Sequence, residues 1–148
     1  MTNDENDPIE RAARDLRIKL GIDDQLRPDM ITVVVKMKHQ GLIEDYARHS
    51  DDEMPDAEAF FDPDSRVLHL RESTFCAANA LYTYSESERR RARYTIAHEI
   101  GHVALGHDGR HYRGDINETA KKLEGQVQKN EREAERFAAA FLAPAHLA

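Results

Sequence analysis

Apolar residues recur along this chain with two different periods, and each change of period marks a change of element. Near the start, Ile9, Ala12, Ala13, Leu16 and Leu20 follow a helical repeat. Asp7 before Pro8 is a helix opening, because aspartate caps free amides and proline tolerates the first helical position. Gly21 supplies the stop. A second helix is expected over 28–40, with Ile31, Val34, Val35 and Lys38 on one face and Gly41 as terminator, although Val33-Val34-Val35 taken alone favours a strand. Residues 42–47 read as a short strand. Over 57–71 the period falls to two. Residues 57–61 and 66–71 flank Asp62-Pro63-Asp64-Ser65, which is turn chemistry. A hairpin is expected there, with Leu68 and Leu70 on one face and Val67, His69 and Arg71 on the other.

The helical period then returns. Ser73 is expected to cap a helix through about Leu81, which Tyr82-Thr83-Tyr84 breaks. Ser85 opens the main helix, with Glu88 three residues on to complete a capping box, and the end is expected near Gly106. A polar loop follows over 107–114. Residues 115–129 are charged and expected to be helical, weakened by Gly125. A last helix over 130–142 carries Ala134, Phe137, Ala138 and Phe141 on its apolar face and stops before Pro144. The pattern predicts an α+β fold, mainly helical, with a small sheet or hairpin ahead of the main helix. Residues 1–7 are expected to be a disordered tail on one domain spanning 8–148. Within it, 8–56 form an N-terminal helical part, and 57–148 hold the hairpin and the later helices.

Composition narrows the functional classes. A single domain of 148 residues is long enough to bury its own core. A formal charge of −7 argues against a sequence-independent grip on nucleic acid, and the two N-terminal helices lack a basic recognition face. No apolar run approaches the ~20 residues of a membrane span. The acidic start is unlike a signal peptide. Cys76, the one cysteine, cannot form an internal disulfide, so the reducing cytoplasm is the expected compartment. Its thiol reads as a small buried group rather than a metal ligand.

The candidate chemistry lies in the main helix, at His98-Glu99-Ile100-Gly101-His102. Residues at i and i+4 share a helix face, so two imidazoles can hold one metal ion while Glu99 serves as general base. Ile96, Ile100, Val103 and Ala104 recur at helical spacing and would bury one side, leaving the polar trio largely off that stripe. Zinc suits such donors, although manganese and iron accept them too. A catalytic zinc wants a third protein ligand. The metzincin spacing fails, because it needs a glycine at position 105 and a histidine at 108, where the chain has Leu105 and Asp108. His107 falls on the wrong face if the helix persists. A carboxylate from the last helix remains: Glu131, Glu133 or Glu135.

The two segments Thr95-Ile96-Ala97-His98-Glu99-Ile100-Gly101-His102-Val103-Ala104-Leu105-Gly106-His107 and Glu133-Ala134-Glu135-Arg136-Phe137-Ala138-Ala139-Ala140-Phe141-Leu142-Ala143-Pro144 together resemble the ImmA/IrrE metallo-endopeptidase family. That family pairs a T-x-A-H-E-x-G-H-x-x-L-G-H helix with a later E-A-N-x-F-A-A-x-L-L-M-P helix, and the likeness covers about residues 57–144. Glu135 stands where the family has Asn or Asp, and Ala143 replaces Met. The resemblance implies a zincin-like zinc endopeptidase with one catalytic Zn2+ held by His98, His102 and Glu133. Glu99 would be its base, and Glu131 is the alternative third ligand. It also implies a regulatory protein substrate, typically a helix-turn-helix repressor, in transcription regulation or a stress response. Specificity would lie along the hairpin edge, and a second electrophile would come from His107, His111, Tyr112 or Arg113. Two other readings are the catalytic half of a toxin–antitoxin pair, and a metal-binding module that binds such a partner without cutting. An intact Glu99 favours catalysis.

Overall fold

A computed structural model of the chain describes residues 7–79, 83–107, 116–144 and 147. The described elements run α1 (Pro8–Lys19), α2 (Met30–His39), β1 (Asp45–His49), β2 (Ala59–Asp62), β3 (Val67–Arg71), α3 (Glu72–Ala78), α4 (Glu86–Ala104) and α5 (Ile116–Leu142). The architecture is mixed α+β: five helices on a small sheet, with β3 in the middle of the order β1-β3-β2. β2 and β3 form the expected antiparallel hairpin, Phe61 facing Leu68 in register. β1 pairs parallel with β3, Asp45 to Val67. Alternation sends Leu68 and Leu70 into the core and leaves His69 on the other face, where it meets His49 (Nε2 to Nδ1, 2.7 Å).

Several boundaries differ from expectation, each for a local reason. Asp7 is not tail: its carboxylate accepts from the Ile9 amide at 2.9 Å, capping α1, and it pairs with Arg136 of α5. The second helix starts two residues later than expected because Asp29, not Pro28, precedes it and accepts from the amides of Ile31 and Thr32. Its valines are helical despite their strand propensity, since Val33 and Val34 are fully buried and tertiary packing outweighs a weak preference. Strand β1 begins later than expected, at Asp45. α3 starts directly after Arg71 with no side-chain cap, so Ser73 lies inside it. Leu81, its expected end, lies outside the described residues. The expected helices over 115–129 and 130–142 are one continuous helix, α5, and Gly125 does not break it. The Gln126 amide donates to Asn130 Oδ1 at 2.7 Å across the expected junction.

The core runs from α1 and α2 through the sheet to α4 and α5, and includes Leu16, Met30, Leu70, Ile96, Phe137 and Phe141. α1 lies mainly along α5. Arg17 fastens that pair. It is fully buried, and its guanidinium donates to the carbonyls of Phe141 (2.6 Å), Ile22 (3.1 Å) and Gln25. The carbonyls that end α5 carry the negative end of the helix dipole, so a cation fits there. Burial pulls the Arg17 pKa down, with Asp23 and Asp24 opposing.

Arg17→Met strands these carbonyls without donors, at about 1–3 kcal/mol for each one left unsatisfied. Urea denaturation is expected to show a loss of about 3 kcal/mol; an unchanged midpoint would mean that water takes over the three acceptors.

Candidate metal centre

Helix α4 is built to hold its polar trio firmly. The hydroxyl of Ser85 accepts from the Glu88 amide at 3.2 Å, and the Glu88 carboxylate accepts from the Ser85 amide at 3.2 Å, so the capping box forms. The buried face is turned slightly from expectation: Ala92, Ile96, Ala97, Ile100 and Gly101 are buried, whereas Val103 is half-buried and Ala104 exposed. Small residues on that face admit a close neighbour, and α5 takes the place. A side chain at Gly101 would meet Ala134 Cα, Ala134 O and Phe137 Cδ1 at 3.2 Å each.

That approach brings a carboxylate over the histidine pair. Glu131 Oε2 lies 3.3 Å from His98 Nε2 and 2.9 Å from His102 Nε2. It is shut off from solvent, yet no proton donor is correctly aimed at it. Two ring nitrogens thus flank one carboxylate oxygen that takes no hydrogen bond, a demand that a cation can meet. Ring nitrogens of His98 and His102 and a carboxylate oxygen of Glu99 also lie within 4.8 Å of one another, the one such potential metal-binding group among the described residues. Glu99 is held at the edge of the sheet. It accepts from the Phe61 amide at 2.8 Å, and its second oxygen lies 3.4 Å from His98 Nδ1.

A family model described as the IrrE N-terminal-like domain (Peptidase_M78) matches residues 43–148. The chain belongs to the ImmA/IrrE family. No curated protein and no solved structure matches it. Membership indicates a metallopeptidase acting on protein, and no helix among the described residues is long and apolar enough to cross a membrane.

Two glutamates of this ImmA/IrrE chain sit differently from the expected ligand set. Glu133, the expected third ligand, is directed at His107, with Oε1 2.9 Å from Nε2, and Glu131 stands on the histidine pair instead. At about 100° per residue, Glu131 lies roughly 70° to one side of the Ala134–Phe141 stripe and Glu133 roughly 90° to the other. Periodicity therefore cannot say which of them lies nearer the His98–His102 pair; the side from which α4 approaches puts Glu131 there. Glu135 is exposed, and its charge is felt by Tyr94 and His98.

His107 falls on the wrong face only if the helix persists, and the helix does not persist. α4 ends at Ala104, and Gly106 takes φ +71°. The amide of Gly106 donates to Val103 O (3.2 Å) and that of His107 to His102 O (2.9 Å), the paired bonds of a Schellman turn. The chain reverses, and His107 Nδ1 comes to 2.9 Å from His102 Nδ1. The Leu105-Gly106-His107 sequence held the signal, as a glycine C-cap followed by a ligand-type residue. Of the other expected electrophiles, His111, Tyr112 and Arg113 lie outside the described residues.

The pKa values of the two histidines are shifted in opposite directions. The Glu99 contact raises the His98 pKa above the usual imidazole range, helped by the charges of Glu131, Glu99 and Glu135 and opposed by burial. Burial lowers that of His102, with His98 and His107 adding to the effect and the carboxylates of Glu99 and Glu131 opposing it. A depressed pKa keeps His102 neutral, the form a metal ligand must have. Cys76 is buried on α3, Sγ 3.6 Å from Glu72 Oε1, and takes no part.

Gly101→Ala sets two effects against each other. Replacing a helical glycine gains up to about 1 kcal/mol of helix propensity, whereas overpacking against the Ala134 backbone costs about 1–3 kcal/mol. The expected outcome is a net loss of stability together with weaker metal binding, since Glu131 moves with α5. Calorimetry on both variants, Gly101→Ala and the bulkier Gly101→Val, checks it; unchanged affinity in both would mean that the close approach does not position Glu131.

Proposed function

We propose that this protein is a cytoplasmic zinc endopeptidase of zincin-like fold that cleaves a regulatory DNA-binding repressor. The observation that carries the proposal is the solvent-excluded Glu131 Oε2, set against two histidine Nε2 atoms with no proton donor aimed at it. His98, His102 and Glu131 would hold the ion, with Glu131 in the role that family resemblance assigns to Glu133. A zinc ion there would supply Lewis acidity toward water and toward the oxygen of the scissile carbonyl.

The chain's own groups do the rest. Glu99 takes the proton of the attacking water and returns it to the leaving amine. The Phe61 amide anchors one Glu99 oxygen and leaves the other for proton transfer. The same amide belongs to edge strand β2, so base and strand share one anchor, and an extended peptide can lie along that edge. Family membership supports a protein substrate; the repressor rests on the family likeness alone.

Wild-type protein is expected to carry about one zinc per chain, retained in Glu99→Gln and lost in His98→Ala and Glu131→Ala. Glu99→Gln should slow cleavage of a co-expressed helix-turn-helix repressor by about 10²–10⁴-fold. Metal analysis and intact-mass assay of the repressor read both. Wild-type cleavage by Glu99→Gln would sink the mechanism. Tight repressor binding without cutting would move the non-cleaving module to the front.

A further inference from the structure

Beyond the ligands, three side chains form a chain of contacts leading out of the site. His102 Nδ1 lies 2.9 Å from His107 Nδ1, and His107 Nε2 lies 2.9 Å from Glu133 Oε1. The His107 side chain is only 9 % exposed and that of Glu133 29 %. A neutral imidazole carries one proton, so each link constrains the next. A carboxylate accepts, which puts a proton on His107 Nε2. Neutral His107 then accepts at Nδ1, which puts the His102 proton on Nδ1. His102 Nε2 is left as a bare lone pair, facing His98 and Glu131.

We infer that His107 and Glu133 are positioning residues that fix His102 in the Nδ1–H tautomer and aim its Nε2 lone pair into the metal centre. The inference rests on the proposed metal site and assigns to Glu133 a role other than ligation. Without the pair, a free imidazole divides between two tautomers and several ring rotations, and only one combination binds. The Schellman turn at Gly106 makes the arrangement possible, because it returns His107 to the helix end. Helix α5 supplies the other half, with Glu131 and Glu133 on opposite shoulders of its buried stripe. One side of α5 provides a ligand and the other orients a ligand.

The test is a double-mutant cycle on zinc affinity in the full chain, with His107→Ala, Glu133→Gln and their combination. Each single variant should bind zinc about tenfold to a hundredfold more weakly, and the double variant no more weakly than the worse single, because the pair acts as one unit. Glu131→Ala should lose far more. Losses that add in the double variant, or a Glu133→Gln loss matching that of Glu131→Ala, would make Glu133 a ligand and overturn the inference. So would wild-type affinity in both singles. Nitrogen-15 shifts of the His102 ring in the metal-free protein give a readout independent of zinc. The wild type should show Nδ1–H, and both variants a tautomer mixture. Nε2–H in the wild type, with His107 carrying both its protons, would overturn it as well. If wild-type protein bound no zinc but showed the Nδ1–H tautomer, the metal reading would fail while the orienting pair stood.

Discussion

The site depends on how closely two helices approach each other. Gly101 on α4 has no side chain, and the backbone of Ala134 on α5 fills the space one would occupy. Gly101 lies in the last turn of α4 and Ala134 well inside α5, so the contact fixes the spacing of the two helices at the end of α4. His102 lies one residue beyond Gly101, and Glu131 one turn before Ala134. The geometry of the donor set is therefore inherited from a packing contact that contains no donor. Interiors at crystal-like density transmit a displacement of a fraction of an ångström, so even one added methyl group at Gly101 acts on the candidate site.

The other supports of the site come from three directions. The sheet presents the edge of β2 to α4, and the Phe61 amide holds the Glu99 carboxylate. Tyr94, one turn before His98, stacks on its ring at 6.3 Å between centroids. The turn at Gly106 brings His107 behind His102. Glu99, His98 and His102 thus each touch a group outside the trio, which holds the shape of the constellation. The burial that depresses the His102 pKa belongs to the same packing.

The family match begins at residue 43, yet the segment before it is built into the same core. α1 lies along α5, Arg17 ties it to the Phe141 carbonyl, and Asp7 pairs with Arg136. Helix α5 is thereby held from both sides, by α4 at Gly101 and by α1 at Arg17. A helix that carries both Glu131 and Glu133 needs such bracing, because a rotation about its axis would exchange which carboxylate faces the histidines.

Much of this was legible in the chain. The hairpin, the capping box at Ser85 and the His98–Glu99–His102 trio follow from local rules: alternation, cap chemistry and the i,i+4 relation act within a few residues and need no partner. The continuity of α5 is not legible there, because a glycine's cost of about 1 kcal/mol is small beside what a long packed helix gains. Ser73 and Pro28 stand where boundaries are expected, but α3 follows Arg71 without a side-chain cap and Asp29 caps α2. Sequence alone determined which residue types could serve as metal donors and placed two of them on one helix face. It could not determine which glutamate meets them, because Glu131 and Glu133 lie about equally far from the apolar stripe. Nor could it show that His107 turns back onto His102. Both depend on the direction from which one helix meets another and on where the chain reverses, and only the packed tertiary structure decides these.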